Sequence, residues 1–334
     1  RIDAEKCTMG GACVRVCPYG AITKADKKND IMPVVIEASC AGCGTCGPAC
    51  LFDAVTMQHF TDAQIESQVD AILAENGRAH LSEEIYRVMP WIEALDFDQL
   101  NIDLIAGMVG ETWETWKDSV RRTVELKPDS VTIYQMELPD NTVYSVALLE
   151  GDGKVPVADW ETKRAWQEYA YEQLEAAGYD VSSAYTVLRG DGRGRFVYRD
   201  ALWRGADLLG VGVASFSHLQ GIHFQNHPRW DPYLEDLESG TLPLDRAYLT
   251  TGEDRLIREM ILQLKLGRLA PGYFRDKFGV DIGARFAAAW KQLAADGMVV
   301  PGSEEFRLTR QGLLQVDSLL PRFYDPRYRS VRYT

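Results

Sequence analysis

The sequence predicts a mixed α+β and α/β chain built from three parts, and three observations predict it. All seven cysteines lie between Cys7 and Cys50, and every later residue is something else. A strand, a glycine loop, a helix and a second strand follow one another through residues 99–136, the pattern of a parallel crossover unit. Helices over 253–296 then end in two short strands around Pro301-Gly302. The 334 residues are enough for two or three domains.

The cysteines carry the first part. Cys40, Cys43, Cys46 and Cys50 read C-x2-C-x2-C-x3-C, a spacing that wraps three thiolates round one iron–sulfur cluster and sends the fourth to another. Shifted back by 33 residues, the run recurs: Cys40 maps to Cys7, Cys46 to Cys13 and Cys50 to Cys17. The apolar tails match as well, Ala21-Ile22 against Ala54-Val55. Gly10 stands where Cys43 predicts a ligand. Crossing the fourth ligands assigns Cys40, Cys43, Cys46 and Cys17 to one 4Fe-4S cluster. Cys7, Cys13 and Cys50 are left for the other. Three thiolates suit a 3Fe-4S cluster, or a second 4Fe-4S cluster with a non-cysteine ligand at the Gly10 corner; an empty site and a zinc site are the competing readings. An odd number of cysteines packed this closely is a poor disulfide framework.

On these motifs, residues 1–72 resemble a two-cluster bacterial-type ferredoxin domain, and the missing second cysteine resembles the mixed three-iron/four-iron ferredoxins. The following His59-Phe60-Thr61-Asp62-Ala63-Gln64-Ile65 is similar to the segment after the C-terminal ferredoxin domain of heterodisulfide reductase A subunits. The resemblance implies a relay of single electrons to a redox partner, with a flavoprotein as one candidate class.

A helix is expected over 61–75, with Ile65, Val69, Ile72 and Leu73 as its stripe, and a second over 82–95 started by Ser82. Asn76-Gly77 is a turn signal between them, so the first boundary falls at about 73–80. Residues 99–105 read as a strand, Ala106–Thr112 as a glycine loop, the stretch to Leu126 as a helix and Val131–Met136 as a second strand. In such units ligands sit at the carboxyl ends of the strands. There the glycines either let amides approach a ligand or serve as turn residues.

Asn101-Ile-Asp-Leu-Ile-Ala-Gly-Met-Val-Gly-Glu-Thr112 resembles the N-x-D-L-I-x-G-L-P-G-x-T segment of the coproporphyrinogen III oxidase-like radical SAM family. Tyr134-Gln135-Met136 resembles that family's L-Y-Q-L strand, and Asp207–Ser215 its Y-L-G-I-G-A-G-A-x-S stretch. The resemblance covers residues 76–334 and implies a partial (β/α) radical SAM-type barrel, with Asp103, Gly107 and Gly110 as contacts for S-adenosylmethionine. The departure is the C-x3-C-x2-C motif that opens such barrels, since no cysteine follows Cys50. The seam between the two resemblances falls near Leu73–Asn76. It is what a natural fusion, a portion of a longer protein or a joined pair of genes would each produce.

The remaining elements are structural. Residues 160–177 are expected to form an amphipathic helix with Trp166, Tyr169, Ala170 and Leu174 on one face. Val181–Val187 reads as a strand, as does the small, glycine-rich Trp203–Ser217. His218, His223 and His227 have a spacing that invites either a metal or ordinary loop hydrogen bonds. Helices over 253–266, 271–278 and 283–296 and strands at 298–300 and 306–308 make a winged-helix-like C-terminal domain. The predicted domains are thus 1–75, 76–245 and 246–334.

Charge and hydropathy narrow the function. Lys and Arg number 36 against 49 Asp and Glu, a net charge of −13, which disfavours a nucleic-acid partner. No apolar run approaches the roughly 20 residues of a membrane helix, and the opening from Arg1 carries no signal-peptide pattern. The expectation is a cytoplasmic iron–sulfur electron-transfer protein without a nucleic-acid or membrane partner. The alternative is a radical SAM oxidoreductase or methyltransferase for a tetrapyrrole or similar ring, its SAM-cluster segment lying outside this chain.

Overall fold

The computed structural model describes residues 1–24, 26, 28–29, 31–36, 39–40, 45–56, 62–75, 81–138, 157–191, 194–300 and 304–329. The chain divides into two compact units, Arg1–Trp91 with Glu111–Ser119, and Ile92–Gly110 with Val120–Thr334.

The first unit displays the internal repeat in its backbone. Ile2 bridges Val55 and Ile22 bridges Val35, both antiparallel. Gly20 and Asp53 occupy equivalent positions and both are left-handed, with φ of 58° and 48°. Their amides donate to the carbonyls of Cys17 and Cys50, each at 3.3 Å. Glycine adopts this conformation freely, and a short polar side chain such as Asp tolerates it. The next residues, Ala21 and Ala54, are both buried, as are Cys13 and Ile22. Helix α1 (Ala12–Val16) is little more than one turn. Helices α2 (Asp62–Glu75) and α3 (Ser82–Leu95) follow as expected. Asp70 of α2 accepts both the backbone amide and the hydroxyl of Ser82, at 3.0 and 2.8 Å, and so anchors the start of α3.

The second unit contains β1 (Asn101–Ala106) and β2 (Ser130–Gln135), paired in parallel with Asn101 opposite Ser130 and Ala106 opposite Gln135. The crossover helix α4 (Trp113–Leu126) lies between them in sequence. Thr112 starts it, the Thr115 amide donating to the Thr112 hydroxyl at 3.3 Å. Helix α5 (Trp160–Ala176) is capped by Asp159, which accepts the Thr162 amide at 2.8 Å. Its buried stripe is Lys163, Trp166, Gln167, Ala170, Tyr171 and Leu174. The sequence reading put Tyr169 in that stripe, but Tyr169 is only half-buried and Tyr171 takes its place. The phenol of Tyr171 is kept inside by donating to the Ala184 carbonyl at 2.7 Å.

Residues 181–187 are not one strand. They form a tight hairpin between β3 (Tyr179–Val181) and β4 (Thr186–Arg189). Its turn is built by Ser183, whose hydroxyl accepts the amides of Tyr185 and Thr186, both at 3.2 Å. The sheet order is β1-β2-β4-β3, parallel for the first pair and antiparallel afterwards. Helix α5 packs on β1, β2 and β3.

The glycine-rich stretch 203–217 is not a strand either. Helix α6 (Val197–Trp203) ends at its start, and the chain then crosses β5 (Phe216–Leu219), bridging only at Leu208 and His218. A Cβ at Gly210 would lie 2.3 Å from the Phe216 carbonyl oxygen, so the approach of two backbones requires glycine there. Strand β5 continues into a sheet with β6 (Ile222–Asn226) and, beyond α7 (Trp230–Glu238), β7 (Leu244–Leu249).

The C-terminal elements share one hydrophobic core. Helix α8 (Gly252–Leu264) opens with a capping box in which Thr251 and Asp254 exchange hydrogen bonds. It is followed by β8 (Arg268–Leu269), α9 (Pro271–Phe278), α10 (Ile282–Arg285), α11 (Ala287–Ala295), β9 (Val299–Val300) and β10 (Phe306–Leu308). The small sheet has the order β8-β10-β9. The helix expected over 283–296 breaks at Phe286, with φ −113° and ψ 27°, where its ring packs edge-on against Phe323 at 5.6 Å. Met260, Leu264, Phe274, Ile282 and Leu293 are fully buried here. Among the described residues no helix is long and apolar enough to cross a membrane.

Candidate functional site

Two groups of residues qualify, and each belongs to its own unit. The first is the cysteine set. Cys13 is buried, Cys7, Cys17, Cys46 and Cys50 are half-buried and Cys40 is exposed, while Cys43 lies outside the described residues. Burial pushes the Cys13 thiol up, and the neighbouring charges of Cys7 and Cys50 push it further. Those three are the cysteines that the crossed ligand rule assigns to one cluster. The Met9 amide donates to Cys7 Sγ at 3.4 Å and the Ala21 amide to Cys17 Sγ at 3.3 Å. Such donors stabilise negative charge on sulfur, as a cluster thiolate requires. An electrostatic link between Cys13 and Cys50 of the other half of the repeat, and amides that donate to two of the sulfurs, suit an iron–sulfur cluster. Among the described residues no three His, Cys, Asp or Glu side chains are gathered closely enough for a single metal ion; this includes His218, His223 and His227.

Gly10 has an unstrained backbone, and a Cβ there would meet nothing nearer than Thr8 Oγ1 at 3.7 Å. Packing therefore does not demand glycine at the corner where a ligand is missing.

The second group lies on β1 and β2. Alternation puts Val131, Ile133 and Gln135 on the face against α5, where Gln135 hydrogen-bonds Gln167. The opposite face carries Asn101, Asp103, Ser130, Thr132 and Tyr134. It is polar and cross-linked: Asn101 Nδ2 donates to Asp103 at 2.7 Å, and Asn101 Oδ1 accepts Ser130 at 2.7 Å and Thr132 at 3.1 Å. Arg199 extends the same band, donating to Thr186 Oγ1 at 2.7 Å beside its ion pair with Asp200. Asp103 is exposed on this face, and its charge adds to the burial that raises the Tyr134 phenol.

Gly107 and Gly110 follow β1, both left-handed with φ of 100° and 81°. Gly107 is covered. A Cβ there would lie 2.5 Å from Lys163 Cε, because the lysine stem occupies that space. Lys163 is itself buried, and its Nζ donates to the Met136 carbonyl at 2.8 Å. One α5 side chain thus ties down the segments that leave both parallel strands. Burial pulls the Lys163 ammonium down, against the opposing charges of Glu137 and Asp159. Sequence reading missed Lys163, since a lysine at a helix start ordinarily reads as solvated. Its signal was the i, i+3, i+4 spacing that puts it on the stripe of Trp166 and Gln167.

Residues 1–23 match the 4Fe-4S binding domain family. An oxygen-independent coproporphyrinogen III oxidase of Thermostichus vulcanus is 27% identical over 274 residues, covering 77% of this chain and 81% of that protein. Most of the chain is homologous to the coproporphyrinogen III oxidase and HemW radical SAM proteins. The corresponding oxidase of Pseudomonas aeruginosa is 26% identical, and the heme chaperone HemW of Bacillus subtilis 21%. The chain covers 77% and 75% of itself in these matches but only 59% and 65% of the relatives. The solved structure of the Escherichia coli coproporphyrinogen III oxidase, a radical SAM enzyme, superposes with a TM-score of 0.63 at 21% identity, over 76% of this chain and 61% of that one. The fold of the larger part is therefore that of the radical SAM oxidase, behind an N-terminal iron–sulfur domain.

Proposed function

We propose that this chain is the electron-input and substrate-side portion of a radical SAM-type enzyme, an oxidoreductase or methyltransferase for a tetrapyrrole or similar ring. One observation carries the reading. A single polypeptide joins an iron–sulfur domain to a region homologous to coproporphyrinogen III oxidases over about three quarters of its length. A bound cluster supplies one-electron transfer. Cys40, Cys43, Cys46 and Cys17 would hold a 4Fe-4S cluster. Cys7, Cys13 and Cys50 would hold a 3Fe-4S cluster, or a second 4Fe-4S cluster with another ligand at the Gly10 corner. The Met9 and Ala21 amides steady the sulfur charge. For S-adenosylmethionine the residues fit in part. Asp103 presents a carboxylate on the open polar face, Gly110 keeps the turn, and Gly107 is closed on one side by Lys163.

The C-x3-C-x2-C cysteines of a radical SAM cluster are not in this sequence. In this reading they belong to polypeptide outside it, and electrons reach them from the N-terminal domain in the cytoplasm. The second reading is a plain electron relay to a partner such as a flavoprotein, and the lack of any cysteine after Cys50 favours it. The test is anaerobic incubation of the chain with S-adenosylmethionine and dithionite, assayed for 5′-deoxyadenosine. Product only when a polypeptide bearing C-x3-C-x2-C is supplied supports the proposal. Product from this chain alone overturns the divided arrangement. Reduction of a flavoprotein acceptor with no product under either condition leaves the relay.

A further inference from the structure

The two cysteine runs differ in more than the missing ligand. Shifted by 33 residues, Cys7-Thr8-Met9-Gly10 lies against Cys40-Ala41-Gly42-Cys43. The half without a cysteine at the second position carries a hydroxyl two residues earlier, where the complete half has alanine. The fold brings that hydroxyl back to the vacant position. Apart from the chain neighbours of Gly10, the nearest atom to a Cβ built there is Thr8 Oγ1, at 3.7 Å. A thiol at residue 10 would extend by one bond from a point beside that oxygen. Met9 makes the turn between the two. It is left-handed, with φ of 56°, a conformation uncommon for its side chain, and its amide donates to Cys7 Sγ at 3.4 Å. Backbone strain of this kind clusters at functional sites.

The other oxygens of this loop are taken. Asp3 Oδ1 accepts the amides of Glu5 and Lys6 at 2.9 and 3.4 Å, and the Asp3 carbonyl accepts the Cys7 amide at 3.0 Å. The Gly10 carbonyl accepts Arg15 Nη1 at 3.2 Å. Among the described residues no carboxylate lies within 4 Å of the Cβ position at Gly10. Thr8 Oγ1 makes no hydrogen bond among those residues, and Thr8 and Gly10 are both exposed. Its lone pairs are therefore uncommitted, and they border the corner that lacks a thiolate.

We infer that Thr8 Oγ1 is the fourth protein ligand of the cluster held by Cys7, Cys13 and Cys50, binding iron at the Gly10 corner. The inference rests on that three-cysteine set and gives its open corner a named donor. On binding, the oxygen gives a lone pair to iron and its proton leaves to solvent, as for a ligating thiol. Oxygen is a harder donor than thiolate sulfur, so it holds this iron less firmly than the other three are held. The corner iron is the exchangeable one. A dicationic four-iron core that loses one electron to ferricyanide and one Fe2+ to solvent becomes a monocationic three-iron core, and Thr8 regains its proton. Dithionite with ferrous iron reverses the exchange.

The experiment takes the full-length chain, purified anaerobically and oxidised with ferricyanide, and adds dithionite with ferrous iron-57. Mössbauer spectra then read only the iron taken up. The unaltered chain is expected to bind about one labelled iron per molecule, with an isomer shift and quadrupole splitting unlike those of thiolate-bound iron. Thr8→Ala should remove that distinct spectrum and weaken uptake by roughly tenfold or more, and Thr8→Ser should restore both. The reduced EPR signal of the Cys17, Cys40, Cys43 and Cys46 cluster reports in every sample that the domain is folded. Gly10→Cys added to Thr8→Ala should return the uptake with an all-thiolate spectrum. Failure to return it would mean that Thr8→Ala harms the fold, and would overturn the assignment. A distinct spectrum that survives Thr8→Ala would put solvent or the Met9 thioether at the corner and overturn the assignment, with the three-cysteine set left standing. No uptake by the unaltered chain would overturn the three-cysteine set itself, and Thr8 with it.

Discussion

The cysteine domain and the C-terminal core solve the same problem by different means. Among its described residues the first buries Cys13, Ala21, Ile22, Pro33 and Ala54 and is laid out by short ladders and left-handed turns. The second buries Leu256, Met260, Leu264, Phe274, Ile282, Leu293 and Phe323 in one continuous cluster. At about 1.5–3 kcal/mol for each large side chain fully buried, the second can stand on packing alone. A domain with so small a core needs a covalent or metal staple. The difference leads to the expectation that bound iron holds the fold together at one end of the chain and not at the other.

The largest effect that would break the comparison is removal of the iron. Chelation under reducing conditions is expected to abolish amide-exchange protection across residues 1–56 and to leave the core of α8, α9 and α11 protected. Equal loss in both regions would contradict the contrast. Phe274→Ala is the reciprocal change. It should cost about 3–5 kcal/mol, read by denaturant unfolding of the C-terminal core, while iron and sulfide content per folded molecule stays constant.

Gly107→Ala sharpens the contrast at an intermediate level. The new methyl meets the Lys163 stem at a residue with φ of 100°, so a loss of about 1–3 kcal/mol is expected. Exchange should rise at the Met136 carbonyl's neighbours and not in the cysteine domain. Gly10→Cys is expected to change stability little and cluster type a great deal. An oxidised 3Fe-4S EPR signal should give way to 4Fe-4S, and an unchanged spectrum would place the vacant corner elsewhere.

The smallest effect is a pH dependence. His218 and His223 are held below their ordinary value of 6.5. The unfolded chain therefore binds more protons than the folded one in mildly acidic solution. Their contribution is present above 6.5 and is lost as pH falls from there through the lowered folded values. His218→Gln should flatten the acid limb of a stability profile measured on the C-terminal core, with no matching change in cluster loss.

Much of this was legible in the residues. Helices at 62–75, 82–95, 160–176 and 271–278 follow from apolar spacing and start signals, with ends within a residue or two of the expectation. The 33-residue shift aligns Gly20 with Asp53, and both are left-handed, because a duplicated turn keeps its place in the chain. The readings that fell short share a cause. Residues 181–187 and 203–217 are apolar enough for strands, but Ser183 turns the first and the carbonyl of Phe216 displaces any ladder at Gly210. Both are set by neighbours that pattern reading does not see.

By itself the sequence determined the cysteine spacing, the vacant ligand position at Gly10 and the order of the elements, since these depend on local spacing along one chain. Only the tertiary structure decided that Cys50 acts on Cys13 and that Lys163 closes over Gly107. Each of those pairings joins residues far apart in the chain, and only the packing of helices and strands sets how near such side chains come.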